Sequence, residues 1–576
     1  MSSANMMGKI LLVLVIVNLV LSAGVLGYMT GLTGLSAKMD ELSSKTSELT
    51  TAEADLASAI ATLSDTIGGY GEAISGIRER LSGLEEAFKP KPVILGTTDK
   101  ITVLDPAKSY DFYTWEILNN IGEGLLRYKP GTTEVELGIA ESYEISADGL
   151  EYTFKLRNGM KFTDGTPLNA AAVKYSVDRV MSLSLDPSWL VLAYVEKVEV
   201  VDTLTVKFVL KNAVSFFPAL VALCPPYFPV SSAVYPVDKT AEPTVGHYGP
   251  YRIKRWIRDV EIVLEANPDY YGSKPKTAEF IIKFYKDAAT LRLAVETGEI
   301  DIAWRTLKPM DILDLRARGV LTVQEVPGPY IRYVVCRSNV PPFNDVRLRR
   351  AVAAAIDRKK ICEEVYKGSV QPLYSMIPMG MWSHTDAFYM EYGERNLELA
   401  KQLLTDAGYS EQKPFEFELW YTPTHYGDLE ADVVLVIKES LEETGMIKIT
   451  LKSAEWATYA AEYIAKGVMP IFLLGWYPDY VDPDDYTTIF LHSEWSPDMG
   501  VFYSNPQMDE WLEKASVETD ITKRTELYEK VQTLMAEEAP VIPFFQGKLF
   551  TVFWPNIRGT VLDPTLILRY YLIYKE

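Results

Sequence analysis

Cysteine and histidine are scarce in this chain of 576 residues, which has three of the first and four of the second. Cys224, Cys336 and Cys362 form no C-x-x-C pair, and an odd count argues against a fold that depends on cysteine. His247, His384, His425 and His492 are scattered, with no H-x-x-x-H or H-E-x-x-H spacing, so the sequence offers no built-in metal site and implies no cofactor. Basic charge is also short. Lys and Arg number 57 against 78 Asp and Glu, a net charge of −21, and nucleic acid is not an expected partner because phosphate binding needs a basic face. No nucleophile elbow, no phosphate-cradling glycine loop and no zincin helix occurs. Carboxylates are plentiful, but nothing supports a glycosidase pair among them.

Aromatic residues, in contrast, are abundant: 35 Tyr and 11 Trp, amphipathic rings that serve in cores and in ligand clefts alike. The N-terminus is distinctive. After a short tail at 1–9, residues 10–37 carry no charge, a longer run than the roughly 20 residues needed to cross a bilayer. Ser22-Ala23-Gly24 offers a cleavage site for a signal peptide, but an uncleaved anchor over 10–34 is the preferred reading, because a stalk follows at once. From 35 to 88 apolar residues recur in heptads. With Met39 at position a, Ile60, Ile67 and Ile74 fill a positions and Leu42, Leu49, Leu56 and Leu63 fill d positions, a pattern that favours a parallel dimeric coiled coil. Gly68-Gly69-Tyr70-Gly71 is the weak point, where the segment could instead fold back as a hairpin. Lys89-Pro90-Lys91-Pro92 ends the helix and forms a linker over 89–92.

Beyond the linker the pattern is mixed α/β without internal repeat. Residues 152–156 alternate, turns fall at Asn158-Gly159 and Asp164-Gly165, and Asn169 is placed to cap a helix through Met181. Hairpins are expected over 198–201 with 205–210 and over 251–257 with 260–264. Helices are expected over 346–355 (capped by Asn344), 397–407, 429–444 and 521–538.

Several blocks recur here in a particular order. They are Leu104-Asp105-Pro106, Gly122-Glu123-Gly124-Leu125, Asp148-Gly149-Leu150 with 152–159 and 162–168, Gly249-Pro250-Tyr251 and Asn267-Pro268-Asp269-Tyr270-Tyr271. Glu296-Thr297-Gly298-Glu299-Ile300-Asp301, Asn344-Asp345-Val346-Arg347-Leu348-Arg349-Arg350 with Ala355-Ile356-Asp357-Arg358, and Gly475-Trp476 with Asp479 and Asp482-Pro483-Asp484 complete the series. In that order, from 93 to about 559, the chain resembles the extracellular solute-binding proteins of ABC importers, family 5, which include dipeptide, oligopeptide and nickel binders. The resemblance implies an α/β clamp of the periplasmic-binding-protein type, with lobe I over 93–137, 231–340 and 538–576, an extra subdomain over 138–230, and lobe II over 341–537. It implies a non-enzymatic, extracytoplasmic receptor that delivers solute to a permease and its ATPase subunits. Arg349 and Arg350 would then make ion pairs at a lobe surface.

The same resemblance places Asp479 where peptide-binding relatives hold the ligand's α-ammonium; the alternative is that Asp479 caps a turn beside Pro478. Trp476 would stack on the ligand, or else pack in the core, and Tyr477 and Tyr110 are the remaining candidate ligand residues. Asp479 favours short peptides over oligosaccharides, which an aromatic cleft would also suit; a metal chelate fits the scattered histidines poorly. A surface hydrolase and a structural stalk protein are the alternatives of other classes. If the heptads pair, a chain lacking residues 1–34 should sediment as a dimer and one lacking 1–88 as a monomer. Equal masses per chain in the two would contradict a dimeric stalk.

Overall fold

The computed structural model of the protein describes residue 80 and residues 91–576, apart from 428 and 465. The tail, the anchor over 10–34 and, apart from residue 80, the stalk over 35–88 therefore lie outside the described residues. Among the described residues no helix is long and apolar enough to cross a membrane.

The centre of the fold is a pair of long antiparallel strands, Thr322–Cys336 and Val541–Phe553. The second, VIPFFQGKLFTVF, is buried along nearly its whole length, as an interior strand flanked on both edges must be. On one side Ile331–Cys336 pairs with Ile471–Trp476, which leads to the parallel strands Phe415–Tyr421 and Ile447–Ser453. On the other side Thr551–Phe553 pairs with Ile302–Trp304, followed by Val93–Thr97, Glu279–Phe284, Glu261–Ala266 and Tyr251–Ile257. With Val370–Pro372 laid against the second long strand, they make one sheet of eleven strands. The register of the central pair slips between Pro327 and Ile331. Pro327 and Pro329 have no amide to donate, so the ladder breaks there while both strands run on.

A separate four-stranded sheet is built from Ala140–Ile145, Glu151–Leu156, Thr205–Leu210 and Val195–Val200. Between its strand Glu151–Leu156 and the helix that follows, the expected turns are present: Gly159 and Gly165 both have positive φ, 76° and 86°. Asn169 caps Ala170–Leu183 by accepting from the amide of Ala172. Helices Val346–Ala355 and Ile521–Glu538 have the expected bounds, and Leu397–Asp406 and Glu430–Glu442 are each slightly shorter than expected.

Two expectations are corrected. The cap of Val346–Ala355 is Asp345, whose carboxylate accepts from the amide of Arg347, and not Asn344. Arg349 is buried and makes no ion pair among the described residues; its Nε donates to the carbonyl of Glu538 and its Nη1 to that of Phe343, both at 2.8 Å. Arg350 pairs with Glu391. Arg358, also buried, donates to the carbonyls of Leu373 and Pro543. These arginines lock the block that carries them to the start of the second long strand, a structural task.

The first long strand carries Arg332, which forms a buried ion pair with Glu430 at the start of Glu430–Glu442, and the ring of Tyr426 lies 3.7 Å from its guanidinium carbon. Burial alone pushes the Glu430 carboxyl up, and the arginine opposes it. Removing one partner of such a pair leaves an uncompensated charge and costs about 3–5 kcal/mol, whereas replacing both by apolar side chains is close to neutral. Urea denaturation should show a loss of that size for Arg332→Met and recovery of most of it in Arg332→Met/Glu430→Met. Equal loss in both would contradict the account.

Candidate functional site

The strand Ile471–Trp476 ends beside the central pair and runs directly into Tyr477-Pro478-Asp479-Tyr480. Opposite it begins the helix Phe112–Ile121, capped by Asp111, which accepts from the amide of Thr114 at 2.8 Å. That cap fixes Tyr110 just ahead of the helix. Its hydroxyl donates to Asp479 Oδ2 at 3.0 Å and accepts from Trp189 Nε1 at 3.1 Å. Tyr110 and Asp479, 369 positions apart in sequence, thus meet as the candidate reading grouped them. Asp479 does not serve as a turn cap with its carboxylate. Among the described residues its Oδ1 accepts no hydrogen bond.

Trp476 is committed elsewhere. Its indole nitrogen donates to Asp485 Oδ2 at 3.0 Å, the same oxygen that accepts from the amide of Asp479 at 3.3 Å, and its ring packs edge-on against Phe490. Tyr477 is 40% exposed and its ring stacks on Tyr330, centroids 5.1 Å apart, with Phe112 at 4.9 Å on another side. Tyr330 belongs to the irregular stretch of the first long strand and lies over Gly547 of the second. A Cβ at 547 would fall 1.6 Å from the tyrosine ring, so glycine is what lets the ring lie there.

A cavity of about 500 Å³ opens at this point, lined by Phe112, Tyr330 and Tyr477 and by Lys100, Arg305 and Lys548 among others. The volume falls in the range of small-molecule sites, about 300–1,000 Å³. Asp479 is not on its wall; Tyr477, two residues before it, and Asp111, next to Tyr110, are. Asp485, Tyr330, Phe112 and Arg305 were not singled out in the sequence. For Asp485 a signal existed, an acid-rich stretch starting at Asp479.

The electrostatics of that stretch are unusual. Asp479, Asp482, Asp484 and Asp485 are all at least 93% buried, with exposures of 7%, 5%, 4% and 4%. Asp482 is matched by Arg524 in a two-pronged ion pair of 2.8 and 3.0 Å. Asp484 has only the hydroxyls of Tyr480 and Thr488, and among the described residues neither Asp479 nor Asp485 meets a cation. Burial pushes the carboxyls of Asp479 and Asp485 well up, and Asp479 raises Asp485 further. Asp484 is pushed up to about 6, by burial first and then by Asp482. Buried carboxylates without a counter-ion are expensive, and the arrangement stabilises any positive group that reaches them. No group of His, Cys, Asp and Glu suited to a metal ion occurs among the described residues.

The architecture is that of the periplasmic binding proteins. It superposes on the structure of HbpA2 from Haemophilus parasuis with a TM-score of 0.77 over 84% of this chain and 100% of that one, at 24% identity. The family model for the bacterial extracellular solute-binding proteins, family 5 Middle, matches residues 134–498, and the chain belongs to that family. Among curated relatives, the probable D,D-dipeptide-binding periplasmic protein DdpA of Escherichia coli (strain K12) is 28% identical over 492 residues, 82% of this chain and 92% of its own. Di/tripeptide-binding protein 2 of Pseudomonas aeruginosa (strain UCBPP-PA14) is 28% identical over 505 residues, 83% of this chain and 93% of its own. These relatives are binding proteins, not enzymes.

A carboxyl whose pKa is higher folded than unfolded contributes stability that is full below the unfolded value, about 4, and is lost as pH rises through the folded value. For Asp484 that window runs from about 4 up through about 6. Thermal unfolding across the window should show wild type losing stability relative to Asp484→Asn as pH rises. Parallel curves would contradict the burial of an ionisable, unmatched carboxyl there.

Proposed function

We propose that this chain is the extracytoplasmic receptor of an ABC importer, and that it binds short peptides through their α-ammonium group at Asp479. The observation that carries the reading is the set of buried carboxylates, Asp479 and Asp485 above all, that lack a cation among the described residues. A protonated ligand amine supplies the missing charge at Asp479 through a charge-assisted hydrogen bond, with Tyr110 holding the second oxygen. Two of the relatives, named as a probable D,D-dipeptide-binding protein and a di/tripeptide-binding protein, support peptides as the ligand class. A neutral oligosaccharide would stack on Tyr330, Tyr477 and Phe112 but leave the carboxylates unmatched, which disfavours it. Trp476 acts here by holding Asp485 and the Asp479 amide in place rather than by stacking on ligand.

In this reading the clamp divides as the family resemblance implies, with lobe I over 93–137, 231–340 and 538–576, the subdomain over 138–230, and lobe II over 341–537. With these bounds the chain crosses between the lobes near 340 and near 538, and closure about the crossings encloses the peptide. The uncharged run over 10–34 tethers the receptor to the membrane beside its permease, and the heptads of 35–88 pair two receptors.

Asp479→Asn keeps the shape of the side chain and removes its charge. It should weaken binding of free-amine peptides at least about tenfold, or about 1.4 kcal/mol, and leave N-acetylated peptides unchanged. Calorimetric titration with matched free and acetylated peptides reads the difference. Binding of an oligosaccharide with indifference to both peptide forms would overturn the peptide reading.

A further inference from the structure

Four aspartates follow Trp476 closely in sequence, and they use their oxygens differently. Asp482 gives both oxygens to Arg524, at 2.8 and 3.0 Å. Asp484 accepts from Thr488 with Oδ1 and from Tyr480 with Oδ2, at 2.7 and 2.9 Å. Asp479 and Asp485 each accept with Oδ2 alone. The donor is the Tyr110 hydroxyl for Asp479, and the Trp476 indole and the Asp479 amide for Asp485. Among the described residues Oδ1 of neither accepts a hydrogen bond, so each carboxyl keeps one oxygen on which a proton can sit. The Asp479 amide ties the two residues together, the main chain of one being held by the side chain of the other.

The surroundings bring no positive charge to either carboxyl. Both are buried, and among the described residues neither makes an ion pair. Arg524 is taken by Asp482, and a negative charge on Asp484 opposes one on Asp485. The titratable groups packed against the pair from other elements are Tyr110, Tyr128, Tyr194 and Cys224, with Tyr486 close by in sequence. Burial pushes all five upward, so they stay neutral. A buried carboxyl among neutral neighbours takes up a proton rather than stay charged. Two such groups side by side resist ionising together more strongly still.

We propose that Asp479 and Asp485 are both protonated in the empty receptor, and that the arriving ammonium expels one proton, from Asp479, while Asp485 keeps its own. The proposal rests on the amine reading above and adds its regulation. The O–H bond of Asp479 breaks and its proton leaves to water, and an N–H···O bond to the ammonium forms in its place. A single negative charge then faces a single positive one. Tyr110, donating to Asp479 Oδ2, favours the ionised form there. Two consequences follow for the receptor. An empty site without charge does not gather sodium or potassium from the medium. Its affinity for amines falls as pH drops through the range in which Asp479 takes up its proton.

The test titrates mixed-sequence di- to tetrapeptides without Asp, Glu, His or Cys into the full chain in unbuffered salt solution. The base or acid needed to hold the pH is divided by the peptide bound, measured by equilibrium dialysis with mass spectrometry. At about pH 6, above ordinary carboxyls at about 4 and below a peptide amine at about 8, the amine arrives charged. Wild type should then release more than about half a proton per bound peptide. At about pH 9 the amine arrives neutral and Asp479 is ionised, so binding should take up a proton instead. Asp479→Asn, titrated at higher peptide concentration, should release none at the lower pH, and Asp485→Asn should still release. Tyr110→Phe removes the donor that favours the ionised form and should extend release to higher pH. Peptides bound without proton exchange at the lower pH, with uptake at the higher, would overturn the proposal and leave the amine site standing. Release that survives in Asp479→Asn would overturn it too, because the proton would come from another group. Release approaching about two protons per peptide would overturn the retention of a proton at Asp485. Binding with no uptake at the higher pH, or no binding of free-amine peptides, would overturn the ammonium reading and the proposal with it.

Discussion

Buried carboxyl groups that meet no cation among the described residues are the constraint around which this structure is arranged. Asp479, Asp484 and Asp485 are buried, and among the described residues only Asp482 of that stretch has an arginine. Hydroxyls, an indole and a backbone amide share the remaining load: Tyr110 on Asp479, Tyr480 and Thr488 on Asp484, Trp476 and the Asp479 amide on Asp485. Neutral donors orient a carboxyl but do not match its charge, so in the free protein burial favours the protonated form of these groups. A ligand that brings a cation favours the ionised carboxylate and pairs with it. The rigidity of the surroundings, with Tyr480 stacked on Phe216 and Cys224 donating to the Asp479 carbonyl, keeps the carboxylates from escaping to water.

That arrangement depends on the two long strands. They carry Tyr330 and Gly547 in contact, and Tyr330 in turn supports Tyr477, so the wall of the cavity is attached to the place where the ladder is irregular. Any change in the relation of the two halves of the sheet moves this wall. The buried arginines Arg349 and Arg358 secure the second strand at its beginning through carbonyl oxygens, which fixes its entry, while residues 328–330 of the first strand have no partner in the ladder. Function and architecture are thus joined at a short segment rather than spread over the sheet.

The sequence carried the local elements well and the long-range ones poorly. Helix 346–355 was legible because its apolar period and its flanking breaks agree, and only the capping residue was misplaced by one, Asp345 and Asn344 both being good caps. The two long strands were missed because Pro327, Gly328, Pro329 and Pro543 look like interruptions, and because an interior strand such as Val541–Phe553 shows no alternation to detect. Arg349 was misjudged because nothing in a sequence tells a surface arginine from one bonded to buried carbonyls. At the site, Asp479, Tyr110 and Tyr477 were reached through a family resemblance, not from spacing. Arg305 on the cavity wall pairs with Asp99, 206 positions away, and only the fold brings the two together.

The central claim is that the ligand supplies the positive charge the protein lacks. Native mass spectrometry of the protein purified from its source, followed by release and identification of whatever remains bound, tests it most directly. The account predicts a small molecule with a primary ammonium group, in the form of a short peptide. A neutral saccharide, or an anion without any amine, would contradict it.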